Sequence, residues 1–325
     1  IGNDSAGFGA YSLESMARGQ QAVFSARADY WRGKPPIDRI IFKEVPTSAA
    51  RVQLLKGGAV DIAQYLQPLE VMSLKNTPNV IAETVPASFM IWIELNAKMA
   101  PFDNVDIRRA MNYAFPMDDV MSSVYQGLAS PLDGCMPNIY PGFVGGSPYS
   151  YNLEKAKSLL SKAGMGSGFE TTLSYNAGDP VQEPIAILYQ SALREIGITL
   201  NLEKVPAGSF YNSVSKREKA MIFYVDSPWC PDPGYSMTLY FDSESFVNYS
   251  NYENSEVDAL LKTAAETADE GVRLKAMGEA QEIVMDEAPW TFIAYPNYTM
   301  ARNTGLTGWT YYTSNNIRFQ DFSKS

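Results

Sequence analysis

The chain contains no histidine. That absence removes Ser-His-Asp and Cys-His triads, imidazole general bases and histidine-rich metal sites. Cysteine is scarce as well: Cys135 and Cys230 are too few for a disulfide framework or an all-cysteine zinc site. They read as two unrelated buried thiols, with a mutual disulfide as the open alternative. No run of 18 or more apolar residues is present to span a bilayer. The opening IGNDSAGFGAYSLE carries no charged segment followed by an apolar core, which fits a chain without a signal peptide and a mature secreted protein equally well. A phosphate-cradling loop is also missing, since KGGAVD at 56–61 lacks the spacing and the Lys-Ser/Thr that should follow it. No cofactor or metal is expected.

Positive charge is in deficit. Lys and Arg number 26 against 36 Asp and Glu, for a net charge of −10. Such a balance argues against nucleic acid and against an anionic membrane surface as partners. The many acids would allow paired carboxylates of the glycosidase kind, but so large a supply makes any imagined pair uninformative.

What is present is an ordinary globular balance, 46% hydrophobic and 19% charged, in 325 residues, enough for roughly two domains. Strands are expected at 8–13, 22–27, 40–46 and 88–96, and a short helix at 48–58 closed by Gly57 and Gly58. Helices follow at 106–115, stopped by Pro116, and from Asp118 as N-cap. The stretch 129–150 is irregular, and 152–164 is a clear amphipathic helix ending at Gly164. Strand 171–177, helix 183–197, strand 199–206 and strand 221–226 then give a β-α-β order, which implies a mixed α/β layer with ligand groups at strand ends. Helices at 254–268, with Ser255 and Asp258 as a capping pair, and at 271–288 precede a second aromatic strand at 290–301.

One stretch stands apart. FYVDSPWCPDPGYSMTLYF at 223–241 leaves the C-terminal end of a strand and places Trp229 and Cys230 among three prolines. A plain connection favours Gly, Asn and Ser, and a core takes its Trp on a strand or helix. This loop is built to present something.

YNLEKAKSLLSKAG (151–164), LREIGITLNLEKV (193–205), PDPGYSMTLYF and NYSNYENSEVDALL (248–261) follow one another in an order that is similar to the solute-binding proteins of the oligopeptide, dipeptide and nickel family, the extracytoplasmic receptors of bacterial ABC importers. GFGAYSL, ARADYWRGKPPIDRIIFKEVP, AARVQLLKGGAVDI and NAKMAPFDNVDIRRAMNYAF agree with it, so the resemblance covers nearly the whole chain. It implies an α/β fold of the periplasmic-binding-protein-like type II, two lobes joined by hinge strands. Lobe one would be 1–92 plus 294–325 and lobe two 93–293, with MIWIELN and FIAYPNY crossing the hinge. Relatives carry a leading segment before the GFGAYSL block, so the resemblance also implies an incomplete lobe one, a protein that is a monomer or is completed by a second chain, and a lipid anchor in the full-length form.

The implied activity is binding without chemistry. A small-molecule or oligomeric solute (peptide-like, opine-like or oligosaccharide) is captured between closing lobes and handed to an ABC permease outside the cytoplasm. Peptide-binding relatives place an Asp three residues before the Asp-Pro pair, to meet the free amino group of the ligand. Here the pair is Asp232-Pro233, and that position holds Trp229, an aromatic face for stacking or for a cation. Around it, Cys230, Asp232, Tyr224 and Tyr235 are candidate ligand contacts, and Met90, Trp92 and Asn96 are candidates on the first hinge strand. Each has a plainer reading: lobe packing for Trp229, a turn cap for Asp232, core for Met90 and Trp92. A carbohydrate-active enzyme using paired acids, and a receptor or scaffold that kept the fold but lost transport, are the alternatives.

Overall fold

A computed structural model describes residues 7–325. Residues 1–6, which open the span expected for lobe one, lie outside the described residues. The first pass of chain builds β1 (Tyr11–Ala17), β2 (Gln21–Ala26) and β3 (Arg39–Lys43), an antiparallel sheet in that order. Gly19, at φ +72°, makes the tight turn between the first two. Then come α1 (Ser48–Lys56), β4 (Ile62–Gln64), α2 (Pro68–Leu74) and β5 (Val80–Val85). The hydroxyl of Thr47 caps α1 by accepting from the Ala50 N–H at 3.3 Å, and Gly57 ends it as expected.

The middle of the chain runs β6 (Met90–Leu95), α3 (Val105–Tyr113), α4 (Met117–Asp119), β7 (Ala129–Pro131), α5 (Leu153–Lys162), β8 (Glu170–Asn176), α6 (Gln182–Arg194), β9 (Thr199–Val205), α7 (Ala207–Val214) and β10 (Met221–Asp226). It continues through α8 (Pro233–Phe241), α9 (Ser255–Glu266), α10 (Glu270–Glu287) and β11 (Trp290–Pro296). The last pass adds β12 (Tyr298–Asn303), β13 (Leu306–Thr307) and β14 (Ser323–Lys324).

Packing divides the chain into two units, residues up to Val85 with Tyr298–Ser325, and Pro86–Asn297. In unit one, β12 lies between β4 and β5. In unit two, six strands line up as β7-β11-β6-β10-β8-β9, with β10, β8 and β9 parallel and β6 antiparallel to both its neighbours. Along β6, Met90 and Trp92 enter one core with α8, α9 and α10, while Ile91, Ile93 and Leu95 enter the other with α3, α5 and α6. β10 repeats the alternation with Ile222 and Tyr224 against Met221 and Phe223. A strand covered on both faces needs apolar side chains at every position, which is why these stretches read as continuous apolar runs.

The runs expected to cross the hinge are β6 and β11, which pair side by side in the sheet of unit two. Three local expectations are corrected. The single strand expected at 290–301 breaks at Asn297, where β11 leaves the six-stranded sheet and β12 joins β4 and β5. Asp118 lies inside α4, which continues into a π-helical turn at 120–125, and Asn254 caps α9 in place of Ser255 by accepting from the N–H groups of Glu256 and Val257. Asp258 is spent on Ser243, whose N–H and hydroxyl donate to it at 3.0 and 2.7 Å. Among the described residues no helix is long and apolar enough to cross a membrane.

Candidate functional site

β10 is an interior strand, paired with β8 at its start through Met221 and Ile222 and with β6 along its whole length, so β6 holds its C-terminal end through Val225 opposite Ile91 and Asp226 opposite Met90. The loop at 227–232 leaves from this fixed point. Prolines 228, 231 and 233 set their own φ and limit the conformations open to the loop. Its backbone is tied down as well. The Tyr140 hydroxyl donates to the Pro228 carbonyl at 2.7 Å, the Ser88 and Ser227 hydroxyls meet at 2.5 Å, and the Asp232 N–H donates to the Cys230 carbonyl at 2.8 Å. From this tethered frame Trp229 projects with 86% of its surface exposed. A large indole held out in water by a restrained loop is the arrangement the sequence pointed to, and it costs the protein apolar exposure that a packing role would not.

Cys230 is exposed beside it, and Cys135 is buried with its thiol 3.6 Å from the Met237 sulfur. The two thiols are free, so the disulfide alternative is not realised, and only one of the two is buried. Burial pushes the Cys135 thiol well above the ordinary range.

Asp232 is the N-cap of α8. Its Oδ1 accepts from the Tyr235 N–H at 2.9 Å, and its Oδ2 pairs with the Arg273 guanidinium. Partial burial pushes this carboxyl up, but the Arg273 hydrogen bond and the Tyr235 N–H outweigh it and hold the group below the usual aspartate value. Both oxygens are engaged before any ligand arrives. Asp226, at the end of β10, is raised by burial and accepts from the Tyr240 hydroxyl at 3.1 Å and from the Ser227 N–H at 2.7 Å. The loop therefore shows an aromatic face where a free carboxylate would be needed to meet an ammonium group.

The remaining candidates separate. Tyr235 on the first turn of α8 is half-exposed and lines a groove of about 640 Å³ with Asp242, Phe246 and Arg273. Trp229 is not among the residues lining that groove. Met90, Trp92 and Tyr224 are core residues: Trp92 and Met90 have no exposed surface, and Tyr224 packs at a tilt against Trp92 and edge-on to Tyr249. Asn96 is also buried. Its amide donates to the carbonyls of Arg217 and Lys219 at 3.1 and 3.0 Å and its oxygen accepts from Asn251, so its polar capacity is spent on holding loops. Alternation along β6 and β10 explains this outcome, because both faces of these strands are covered by helices.

Sequence reasoning passed over Glu94. It lies wholly buried in the aromatic core behind the loop, where its two oxygens accept from the indole N–H groups of Trp92 and Trp290 at 2.8 and 2.9 Å. The signal was a lone acid inside MIWIEL, since a charge in a run covered on both faces needs dedicated partners. No cluster able to hold a metal ion occurs among the described residues.

Comparison with known proteins bears on this geometry. The family model of bacterial extracellular solute-binding proteins, family 5 Middle, matches residues 2–248. The chain is 30% identical over 315 residues to the probable D,D-dipeptide-binding periplasmic protein DdpA of Escherichia coli, covering 96% of this chain and 61% of that protein. It is 30% identical over 300 residues to heme-binding protein A of Haemophilus influenzae, covering 89% of this chain and 54% of the relative. Among solved structures, the ABC transporter-associated periplasmic binding protein DppA of Helicobacter pylori, in complex with the peptide STSA, superposes with a TM-score of 0.89 at 25% identity, over 97% of this chain and 62% of that one. The chain thus spans about three fifths or less of the length of these relatives.

Proposed function

This chain belongs to the bacterial extracellular solute-binding proteins of family 5, whose two-lobe type II fold it shares, and we propose that it is the substrate-binding component of an ABC importer. In this reading it works outside the cytoplasm, takes a peptide-like solute, and hands it to a membrane permease. Family membership sets aside the carbohydrate-enzyme alternative, because the family is one of binding proteins. The peptide-like reading draws support from a relative named for D,D-dipeptides and a structural neighbour solved with a peptide.

The observation that carries the proposal is Trp229, exposed on a loop whose backbone is tied at both ends. A restrained indole loses little conformational freedom on binding and offers a broad stacking face, with some attraction for a cation. Because Asp226 and Asp232 are already engaged, the solute is one whose amine is not met by an acid of this loop: a modified or blocked peptide fits better than one with a free N-terminus.

Thermal shift against peptides with free and with blocked N-termini, opines and oligosaccharides tests this. A ligand at a hundredfold excess over Kd stabilises the native state by about 2.7 kcal/mol, which a melting curve resolves easily. The expected result is stabilisation by a blocked or modified peptide that disappears in Trp229→Ala and partly survives in Trp229→Phe. Stabilisation by opines or oligosaccharides alone would move the solute class and leave the binding role standing. Stabilisation unchanged in Trp229→Ala would remove the loop from the site.

A further inference from the structure

One helix holds both ends of the loop that carries Trp229. Asp232 closes the loop as the N-cap of α8. About two turns further along that helix, Tyr240 returns to the point where the loop begins, and its hydroxyl donates to Asp226 Oδ2 at 3.1 Å. Asp226 is the last residue of β10, and its Oδ1 accepts from the Ser227 N–H at 2.7 Å. A single carboxyl thus joins the first peptide group of the loop to α8.

Tyr240 is itself immobilised. It is 1% exposed, and its ring sits edge-on to Trp92 and Trp290 at centroid distances of 5.3 and 5.4 Å. Those two indoles are fixed in turn by their shared partner Glu94. Packing alone does not require the hydroxyl. The next residue, Phe241, fills the same core without one, and a phenylalanine at 240 would bury the same ring at no polar cost. Burial pushes both the Asp226 carboxyl and the Tyr240 hydroxyl up, so each group is desolvated where they meet. Replacing both members of a buried polar pair by apolar groups is often neutral or stabilising, so the pair contributes more to position than to stability.

We infer that the Asp226–Tyr240 contact is the positioning device of the Trp229 loop: it carries the rigidity of the aromatic core to the root of the loop and sets the direction in which the indole leaves the sheet. Both residues act through Trp229 and not on the solute. With the contact made, the loop has less freedom to lose on binding. This purpose, though not the contact itself, rests on the reading of Trp229 as a solute platform.

A nitroxide attached to Cys230, the exposed thiol of the same loop, reads loop mobility by electron paramagnetic resonance with no ligand present. Asp226→Val combined with Tyr240→Phe removes the contact and leaves neither partner buried alone, so the melting temperature should stay within about 2 °C of wild type. The nitroxide should nevertheless tumble about threefold faster. Tyr240→Phe alone, which keeps the ring in the core, should also loosen the loop. Asp226→Asn should restore the wild-type line shape, because its amide oxygen still accepts from Ser227 and its amide N–H can donate to the Tyr240 oxygen. Line shapes of both loosened variants equal to wild type would overturn the inference, since a packing role moves the melting temperature and leaves the loop as it was. Titration with the blocked peptide acetyl-Ala-Phe-Ala-amide separates this outcome from failure of the solute reading. Faster tumbling with about tenfold weaker peptide binding supports both. Faster tumbling in a protein that does not bind the peptide upholds the contact and tells against the solute reading.

Discussion

Trp92 and Trp290 stack with ring centroids 4.2 Å apart and planes 20° apart, and both turn their indole N–H groups onto the same carboxylate, Glu94. Each indole alone would bury a donor without an acceptor. Glu94 satisfies both, and so fixes the relative position of β6 and β11 in the core behind the candidate loop. Replacing it with alanine leaves two buried N–H groups unpaired, at about 1–3 kcal/mol each. We expect Glu94→Ala to lower the unfolding free energy by at least about 2 kcal/mol in urea titration. A change below about 0.5 kcal/mol would mean that water reaches the indoles.

The same residue gives the protein a pH dependence of definite sign. Burial pushes the Glu94 carboxyl from its ordinary 4.5 up to about 8, against the pull of the two indoles and Ser250. Between those values the folded chain holds a proton that the unfolded chain has released. Stability therefore falls as pH rises across that window, by at most about 1.4 kcal/mol per unit, and levels off above it. Glu94→Gln cannot titrate, so its stability should lose this slope between pH 5 and 8. A wild-type curve that rises across the window would contradict the assignment.

Asp232 titrates with the opposite sign. Its carboxyl is held below the ordinary 3.8 in the folded chain, so its contribution is present above that value and is lost as pH falls through the lower, folded one. Asp232→Ala removes the cap of α8 and the partner of Arg273, and we expect a cost of about 1–2 kcal/mol at pH 7 that shrinks toward pH 3. The measurement is the variant's melting temperature without ligand. An unchanged value would make Asp232 dispensable to the fold and return it to the list of ligand contacts.

How much of this was legible in sequence depended on whether the signal was local. α5 was readable because Leu153, Ala156 and Leu160 form one stripe between Asn152 and Gly164, and the structure caps it there through Asn152. The Trp229 loop was readable because prolines and a lone Trp contradict both core and linker chemistry. α8 was not, because Pro233, Gly234 and a run of aromatics have poor helix propensity. It is helical because Asp232 caps it and Met237, Tyr240 and Phe241 pack beneath it. Nor did sequence separate Trp92 from Trp229: one is wholly buried and the other exposed, and that depends on helices far along the chain covering both faces of β6. The break at Asn297 was hidden for a related reason, since β11 and β12 share one aromatic, β-prone composition while joining different sheets.

That contrast between two tryptophans yields a prediction with two opposite readouts. Trp229→Ala removes a side chain that is almost fully in water, so its effect on unfolding should stay within about 0.5 kcal/mol while ligand protection is lost. Trp92→Ala opens a cavity in the aromatic core and strands a bond to Glu94, so it should cost about 3–5 kcal/mol. Parallel melting of the two variants checks both. A large loss of stability in Trp229→Ala would assign the loop a packing role.

The cysteines test the loop's geometry by chemistry alone. Bridging needs the two Cα atoms within about 7 Å and side chains that face each other. Here Cys135 is enclosed against Met237 while Cys230 faces water on the proline-stiffened loop, so joining them would require pulling one out of a core or forcing the other into it. The raised Cys135 thiol is also a poor nucleophile, because the reactive species is the thiolate. We expect a thiol reagent to modify one cysteine in the native protein, identified as Cys230 by peptide mapping, and the second only after unfolding. Incubation under oxidising conditions should leave the intact mass free of an internal disulfide. A native protein lighter by two hydrogens after oxidation would show that the loop swings far enough to reach Cys135, and Trp229 could then no longer be treated as a restrained platform.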